Sequence, residues 1–111
     1  WHKSLLHEVV PPLIRKWERK LKVSVSGYFL QRMKTKWGSC NPPTGAIRLN
    51  TDLAKKPRDC LEYILVHELV HLLEPTHNAR FVALMDQFMP KWKSHRDLVN
   101  LLPVRHEDWG Y

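Results

Sequence analysis

Residues 67–77 read HELVHLLEPTH, and this stretch decides how the rest of the chain is interpreted. His67 and His71 are four residues apart, so on a helix they lie on one face with Cβ atoms about 5–6 Å apart. Two imidazoles at that spacing can bind one zinc ion, at nitrogen–zinc distances of about 2.0–2.1 Å. Glu68 lies about 100° further round the helix, where it can accept a proton from water rather than bind the metal. The stretch predicts a zinc site with an acid/base glutamate beside it.

His77, six residues after His71, is the candidate third ligand. A catalytic zinc site has three protein ligands plus water, whereas a structural site usually has four protein ligands. The spacing of the three histidines is that of metzincins, in which a glycine lets the chain turn toward the third ligand. Here Glu74 occupies the glycine position and Pro75 follows it. We therefore expect metzincin ligand spacing outside the metzincin family, with the turn made differently at Glu74-Pro75.

Glu74 has two interpretations. If the helix extends that far, Glu74 shares the metal-facing stripe and can be a hydrogen-bond partner of a ligand imidazole. The alternative is a solvated glutamate at the helix end. The histidines without ligand spacing are expected to be surface or packing residues: His2, His7, His95 and His106.

The helix that carries the motif is apolar over most of its circumference, which predicts a buried central helix. Its apolar residues are Leu61, Ile64, Leu65, Val66, Leu69, Val70, Leu72 and Leu73. Ionisable groups in such a helix are costly unless something satisfies them, and a metal ion does so. Random placement of this chain's histidines and glutamates would give H-E-x-x-H in only roughly 2% of such sequences. Both arguments favour metal binding over chance.

Hydrophobic spacing predicts the order helix, strands, helices, which indicates an α+β fold with a small antiparallel or mixed sheet packed on the motif helix. A helix is expected over 1–21 with an interruption at Pro11-Pro12. Strands are expected within 23–30, at 36–40 and at 46–50, where β-branched and aromatic residues are separated by turn signals.

The remaining helices follow from prolines and caps. The central helix is expected from about Pro57 to near Glu74, before Pro75. Thr76 or Asn78 can cap the next helix, which Pro90 ends. A last helix is expected over about 91–102, and no structure is predicted for the tail at 103–111.

The chain has 111 residues and a mass of 13.2 kDa, which fits one domain. It begins with Trp rather than Met, so we expect 1–111 to be the C-terminal part of a longer chain. No apolar run is long enough for a membrane helix, and no membrane partner is expected. Cys40 and Cys60 lack CxxC spacing, which favours reduced thiols in a cytoplasmic protein. The net charge of +7 favours anionic partners such as nucleic acid or nucleotides, although a solvated basic surface has the same composition.

Three stretches of this sequence form a specific combination: RMKTKWGSC at 32–40, GAIRLN at 45–50, and HELVHL at 67–72 with His77 and Phe81. Together they resemble the YgjP-like metal-dependent hydrolases, relatives of the SprT-like metallopeptidases. The resemblance implies a zincin-like core in which His67, His71 and His77 bind zinc and Glu68 is the catalytic acid/base. Many members have Arg immediately before WGSC. Here Lys36 keeps the charge but not the bidentate fork.

The main hypothesis is zinc-dependent hydrolysis of a peptide, with the substrate aligned on a sheet edge at 36–40 or 46–50. The resemblance also implies an alternative, release of pyrophosphate from UTP. A third hypothesis is a non-catalytic, zinc-stabilised module that binds nucleic acid through interleaved aromatic and basic residues, although those aromatics also fit a core. The candidate substrate-binding residues, for which a solvated strand face is the alternative, are Arg32, Lys36, Trp37 and Arg48.

Overall fold

The computed structural model describes residues 2–34 and 36–101. Its elements are α1 (His2–Leu21), β1 (Gly27–Gln31), β2 (Gly38–Asn41), β3 (Ala46–Asn50), a 3₁₀ helix (Thr51–Lys55), α2 (Arg58–Val70), α3 (Ala79–Phe88) and α4 (Trp92–Leu101). The predicted order of helix, strands and helices is confirmed, and the fold is α+β. The C-terminal tail and His106 lie outside the described residues.

Helix α1 is continuous, so the predicted interruption at Pro11-Pro12 is wrong. Each proline removes one N–H from the helix ladder, which leaves the carbonyls of His7 and Glu8 without their intrahelical donors. Both of these residues are exposed, so water can satisfy their carbonyls. The two prolines therefore cost the helix less than they would on its buried face.

The sheet is mixed, with strand order β1-β3-β2. Strand β1 pairs with β3 in parallel, and β2 pairs with β3 antiparallel, with Ser39 opposite Arg48. A tight turn joins β2 to β3, and Gly45 at φ +76° supplies the left-handed residue it needs. Because β3 is central, the expectation that 46–50 could be a substrate-aligning edge is wrong. Strand β2 is an edge, as the alternative at 36–40 required.

Helix α2 lies at the centre of the molecule, as its composition predicted. Every residue from Cys60 to Val70 is buried except Glu62. Helix α1 covers it with an apolar face that includes Ile14 and Trp17, and β3 contributes Ile47 and Leu49. Among the described residues, no helix is long and apolar enough to cross a bilayer.

Helix ends are set by local capping. Helix α2 ends at Val70, four residues earlier than the predicted Glu74, and His71 is its C-cap. Asn78 caps α3, since its side-chain oxygen accepts from the N–H of Phe81 at 3.0 Å. Cys40 and Cys60 are both free thiols, as predicted.

Candidate metal centre

The C-terminal end of α2 carries the HELVH motif, so the helix itself sets the separation of the first two imidazoles. His67 is 1% exposed and Glu68 3% exposed, whereas His71 is half-buried. After His71 the chain leaves the helix in tight turns, in which the N–H of Glu74 donates to the carbonyl of Val70 at 2.9 Å. The loop that follows brings His77 back against the two helical histidines.

The three predicted ligands form a closed triangle of imidazole nitrogens. The Nε2 atom of His67 lies 3.2 Å from Nε2 of His71 and 3.1 Å from Nε2 of His77. The third side, between Nε2 of His71 and Nε2 of His77, is 3.0 Å. Three nitrogens bound tetrahedrally to one ion at about 2.0–2.1 Å would lie about 3.3–3.4 Å apart. The triangle therefore fits a single small ion.

The chemistry of these donors also fits a metal. Each neutral imidazole has one N–H and one lone pair, so three mutually close Nε2 atoms cannot all satisfy one another by hydrogen bonds. A shared cation removes the conflict, and neutral imidazole is a common metal ligand. Within the described residues, these three histidines are the group of ionisable side chains able to hold a metal ion.

The Nδ1 atom of His71 fixes the tautomer of that ring. It lies 3.1 Å from the main-chain carbonyl oxygen of Glu74, which can only accept, so Nδ1 donates. The lone pair of His71 is then on Nε2, the atom in the triangle. Burial lowers the pKa of His71, although the bond to Glu74 opposes the shift, and burial also lowers the pKa of His77. Both rings are therefore kept in the neutral form that binds metal.

Phe81 forms an apolar floor under all three imidazoles. Its ring centroid lies 4.9 Å from that of His67, 4.7 Å from that of His71 and 4.9 Å from that of His77. It is fully buried on the inner face of α3. From the sequence, Phe81 was expected only to pack and to match the family motif. Phe81 lies four residues after His77 on the apolar face of the next helix, and this position is the sequence feature that could have predicted its contact with the histidines.

Glu68 lies beside the triangle, as its place on the helix predicted. One carboxylate oxygen is 4.0 Å from Nε2 of His67. Burial raises the pKa of Glu68 to about 8, against the opposing charge of Lys36. A carboxylate in such a site binds a proton more readily than an exposed one. The geometry suits proton transfer to and from a molecule in the adjoining cavity.

An open cavity of about 420 Å³ lies between this face of α2 and strand β2. Its walls include the three histidines and Glu68 on the helix side, and Lys36, Ser39 and Cys40 on the sheet side. A cavity of this size can take a few residues of a peptide or a comparable small molecule. Burial and the nearby Glu68 raise the pKa of Cys40 to about 12, so this thiol stays protonated and is a poor nucleophile.

Of the four candidate substrate-binding residues, Lys36 borders the cavity. Its main chain is held by Asn50, whose Nδ2 donates to the carbonyl of Lys36 at 2.7 Å and to the carbonyl of Met33 at 2.9 Å. Asn50 is fully buried, and its Oδ1 accepts from the N–H of Asp52 at 2.9 Å. Asn50, the last residue of the GAIRLN stretch, therefore joins the loop before β2 to the 3₁₀ helix.

The structure places the other three candidates elsewhere. Trp37 is 2% exposed and lies in the core, with the ammonium of Lys56 4.6 Å from its ring centroid, so its indole cannot contact a substrate. Arg48 is on β3 with its guanidinium 5.7 Å from the Phe29 ring centroid, away from the walls of the metal-site cavity. Arg32 is exposed and is not among the residues that line that cavity. For Arg48 the cause is strand alternation, since the flanking Ile47 and Leu49 on β3 point into the core and Arg48 points to the exposed face.

Glu74 differs from both sequence interpretations. Its main-chain carbonyl, not its carboxylate, orients the ring of His71. The carboxylate instead accepts from the hydroxyl of Thr76 at 3.0 Å and from Nδ2 of Asn78 at 2.9 Å. These hydrogen bonds hold the pKa of Glu74 below its ordinary value, and the bond from the Thr76 hydroxyl has the largest effect. The side chain is thus engaged within the loop rather than simply solvated.

The fold is zincin-like, and the family model that matches the chain is that of a metallopeptidase domain. The chain belongs to the YgjP-like family, since the family model described as the YgjP-like metallopeptidase domain matches residues 1–101. No curated protein matches the chain significantly.

Crystal structures of two metallopeptidase zymogens share this fold. Abylysin of Pyrococcus abyssi is 22% identical, with a TM-score of 0.73 over 81% of this chain and 90% of that one. Jannalysin of Methanocaldococcus jannaschii is 20% identical, with a TM-score of 0.58 over 89% of this chain and 93% of that one.

Proposed function

We propose that this protein is a zinc-dependent metallopeptidase whose metal is held by His67, His71 and His77 and whose general base is Glu68. One observation carries the proposal: three imidazole Nε2 atoms converge within 3.0–3.2 Å of one another, next to a buried carboxylate and a cavity. Three nitrogen ligands leave a fourth position open, as catalytic zinc sites do. When bound, zinc supplies Lewis-acid chemistry, polarising a carbonyl and making water easier to deprotonate.

Glu68 is the residue that moves the proton. Its carboxylate accepts a proton from the attacking water and returns it to the amine of the departing peptide. Its burial, at 3% exposure, keeps bulk water from competing for that proton. Phe81 and the main-chain carbonyl of Glu74 hold the imidazoles in place while this happens.

Strand β2 is the candidate for aligning the substrate. It is an edge strand that pairs with β3 on one side, and its residues Ser39 and Cys40 border the cavity. An extended peptide can add to such an edge by main-chain hydrogen bonds, which place the scissile bond over the histidines. Lys36 precedes the strand and offers a positive charge to a carboxylate group of the peptide.

A nucleotide phosphohydrolase is the second candidate, because the ammonium of Lys36 at the cavity also suits a phosphate. A module that only binds nucleic acid has weaker support. The exposed pair of Phe29 and Arg48 could stack bases, but a binding module has no need of Glu68 beside three metal-binding histidines.

We also propose that the protein acts in the cytoplasm, because the free thiols of Cys40 and Cys60 suit a reducing compartment.

The test is to load the protein with Zn²⁺, confirm one bound ion, and incubate it separately with an unfolded protein, UTP and single-stranded DNA. We expect peptide fragments from the unfolded protein, and loss of cleavage in His71→Ala. Pyrophosphate release from UTP without peptide cleavage would show that the protein is a nucleotide phosphohydrolase rather than a peptidase. A DNA mobility shift without turnover of either substrate, or no Zn²⁺ binding, would contradict the proposed enzyme.

A further inference from the structure

The loop between α2 and α3 turns sharply without the glycine that the ligand spacing would lead one to expect. Glu74 stands in that position, followed by Pro75. No residue of this loop, all of which the structure describes, has a positive φ, so the turn does not need the backbone freedom of glycine, and a side chain can hold it by hydrogen bonds within the loop. The contacts of Glu74 show how the turn is held here.

The carboxylate of Glu74 contacts residues on both sides of His77. Its Oε1 accepts from the hydroxyl of Thr76 at 3.0 Å and from Nδ2 of Asn78 at 2.9 Å. Its Oε2 lies 3.6 Å from a guanidinium nitrogen of Arg80. These contacts lie at the surface, so the carboxylate acts through several partners at once rather than through one buried bond. His77 therefore lies between two residues, Thr76 and Asn78, that both donate hydrogen bonds to the Glu74 carboxylate.

Glu74 is also connected to the other two histidines, directly to His71 and through Asn78 and Phe81 to His67. Its main-chain carbonyl accepts from Nδ1 of His71 at 3.1 Å. Asn78, held by the Glu74 carboxylate, caps α3 through the N–H of Phe81 at 3.0 Å. Phe81 in turn packs against the imidazole of His67 with centroids 4.9 Å apart. Glu74 therefore lies at the start of short contact paths to every imidazole of the triangle.

We propose that the carboxylate of Glu74 is a positioning residue that holds His77 in the ligand triangle by closing the loop from Thr76 to Asn78. The inference rests on the proposed metal site but goes beyond it, since it concerns how the third ligand is placed. A glutamate acting here does not touch substrate or metal. Its loss should loosen the site while leaving the buried core intact, because the loop residues 75–80 are exposed.

The test measures metal affinity in the full chain, without using activity. Zn²⁺ is titrated against a chromophoric chelator for wild type, Glu74→Ala and Glu74→Gln, and Co²⁺ absorption spectra report ligand geometry. We expect Glu74→Ala to lose about 10–100-fold in Zn²⁺ affinity and to change the Co²⁺ spectrum. Glu74→Gln keeps one acceptor oxygen for Thr76 or Asn78, so its loss should be smaller.

Asp86→Asn is the matched control, because Asp86 accepts from Nε1 of Trp92 at 2.7 Å on the part of α3 beyond the site. It should retain wild-type affinity and spectrum. Unfolding curves of the metal-free proteins show whether each variant folds. Asn78→Ala removes a partner of the Glu74 carboxylate in the same loop, so it should lower Zn²⁺ affinity as well. Wild-type affinity and an unchanged Co²⁺ spectrum in folded Glu74→Ala would overturn the positioning role. Failure of the wild-type protein to bind Zn²⁺ would instead overturn the proposed function.

Discussion

Gly38 lies directly against the side chain of Glu68. A Cβ atom on residue 38 would approach Cγ of Glu68 to 3.2 Å and Cγ2 of Ile64 to 3.0 Å. A side chain on residue 38 would force α2 or β2 to shift by a few tenths of an ångström, so the glycine lets strand β2 lie this close to the buried glutamate. This contact gives the glycine of the WGSC stretch a physical role, since it sets the distance between the edge strand and the candidate general base.

Gly38→Ala should destabilise the protein and impair peptide cleavage together. The added methyl overpacks the contact with α2, for which about 1–3 kcal/mol of unfolding free energy is typical. Urea unfolding of the metal-free protein and kcat on an unfolded substrate would measure both effects. Gly27→Ala is the control, because nothing lies within 4 Å of a Cβ at that position. Equal stability of the two variants would show that the close approach at Gly38 is not limiting.

Asn50→Asp should lower the unfolding free energy by about 2–3 kcal/mol. A carboxylate can still accept from the N–H of Asp52, but it cannot donate to the carbonyls of Met33 and Lys36 as the amide does. The charge is also buried, since residue 50 is fully enclosed. Asn50→Ala, which removes these side-chain hydrogen bonds without adding charge, should be no worse. Wild-type stability of the aspartate variant in urea at pH 7 would contradict this role for the amide.

Glu62 links α2 to α1 in a pH-dependent way. Its carboxylate accepts from Nζ of Lys16 at 2.9 Å and from Nε1 of Trp17 at 2.7 Å. Burial opposes ionisation, but these hydrogen bonds and the charges of Lys16 and Lys20 hold the pKa of Glu62 below its ordinary value near 4.5. The stabilisation is therefore complete above that ordinary value and is lost as the pH falls through the lower, folded-state pKa.

Glu62→Gln should accordingly cost about 1 kcal/mol at pH 7, because the amide still accepts from Trp17 and Lys16 is largely exposed. The difference from wild type should shrink as the pH is lowered below about 4. Unfolding curves from pH 3 to 8 would measure it, with the exposed Glu8→Gln as control. A difference that stays constant over this range would exclude ionised Glu62 as its source.

Most of the fold and the three histidines of the candidate metal site could be predicted from short-range sequence patterns. The spacing of His67, His71 and His77 is short-range, and the apolar character of α2 predicted its burial. The sheet order was not readable, because the parallel pairing of β1 with β3 joins segments separated by the whole of β2. Which strand forms the edge beside the three histidines depends on that order.

Features that depend on the tertiary surroundings of a residue were harder to predict. Trp37 is aromatic and flanked by lysine, so composition could not distinguish a stacking surface from the core, where it lies. Pro11 and Pro12 are helix breakers whose cost depends on which carbonyls face water. For Glu74, the helix ends at Val70, so the residue falls in a loop whose hydrogen bonds no periodic pattern predicts.

The most direct test of the enzyme is Glu68→Gln, assayed for bound Zn²⁺ and for cleavage of an unfolded protein in the same preparation. Gln has nearly the same shape and leaves the three imidazoles untouched, but it cannot accept and return a proton. We predict wild-type Zn²⁺ content with cleavage reduced at least about 10²–10⁴-fold. Cleavage at the wild-type rate by the zinc-loaded variant would contradict the assignment of Glu68 and, with it, the proposed mechanism.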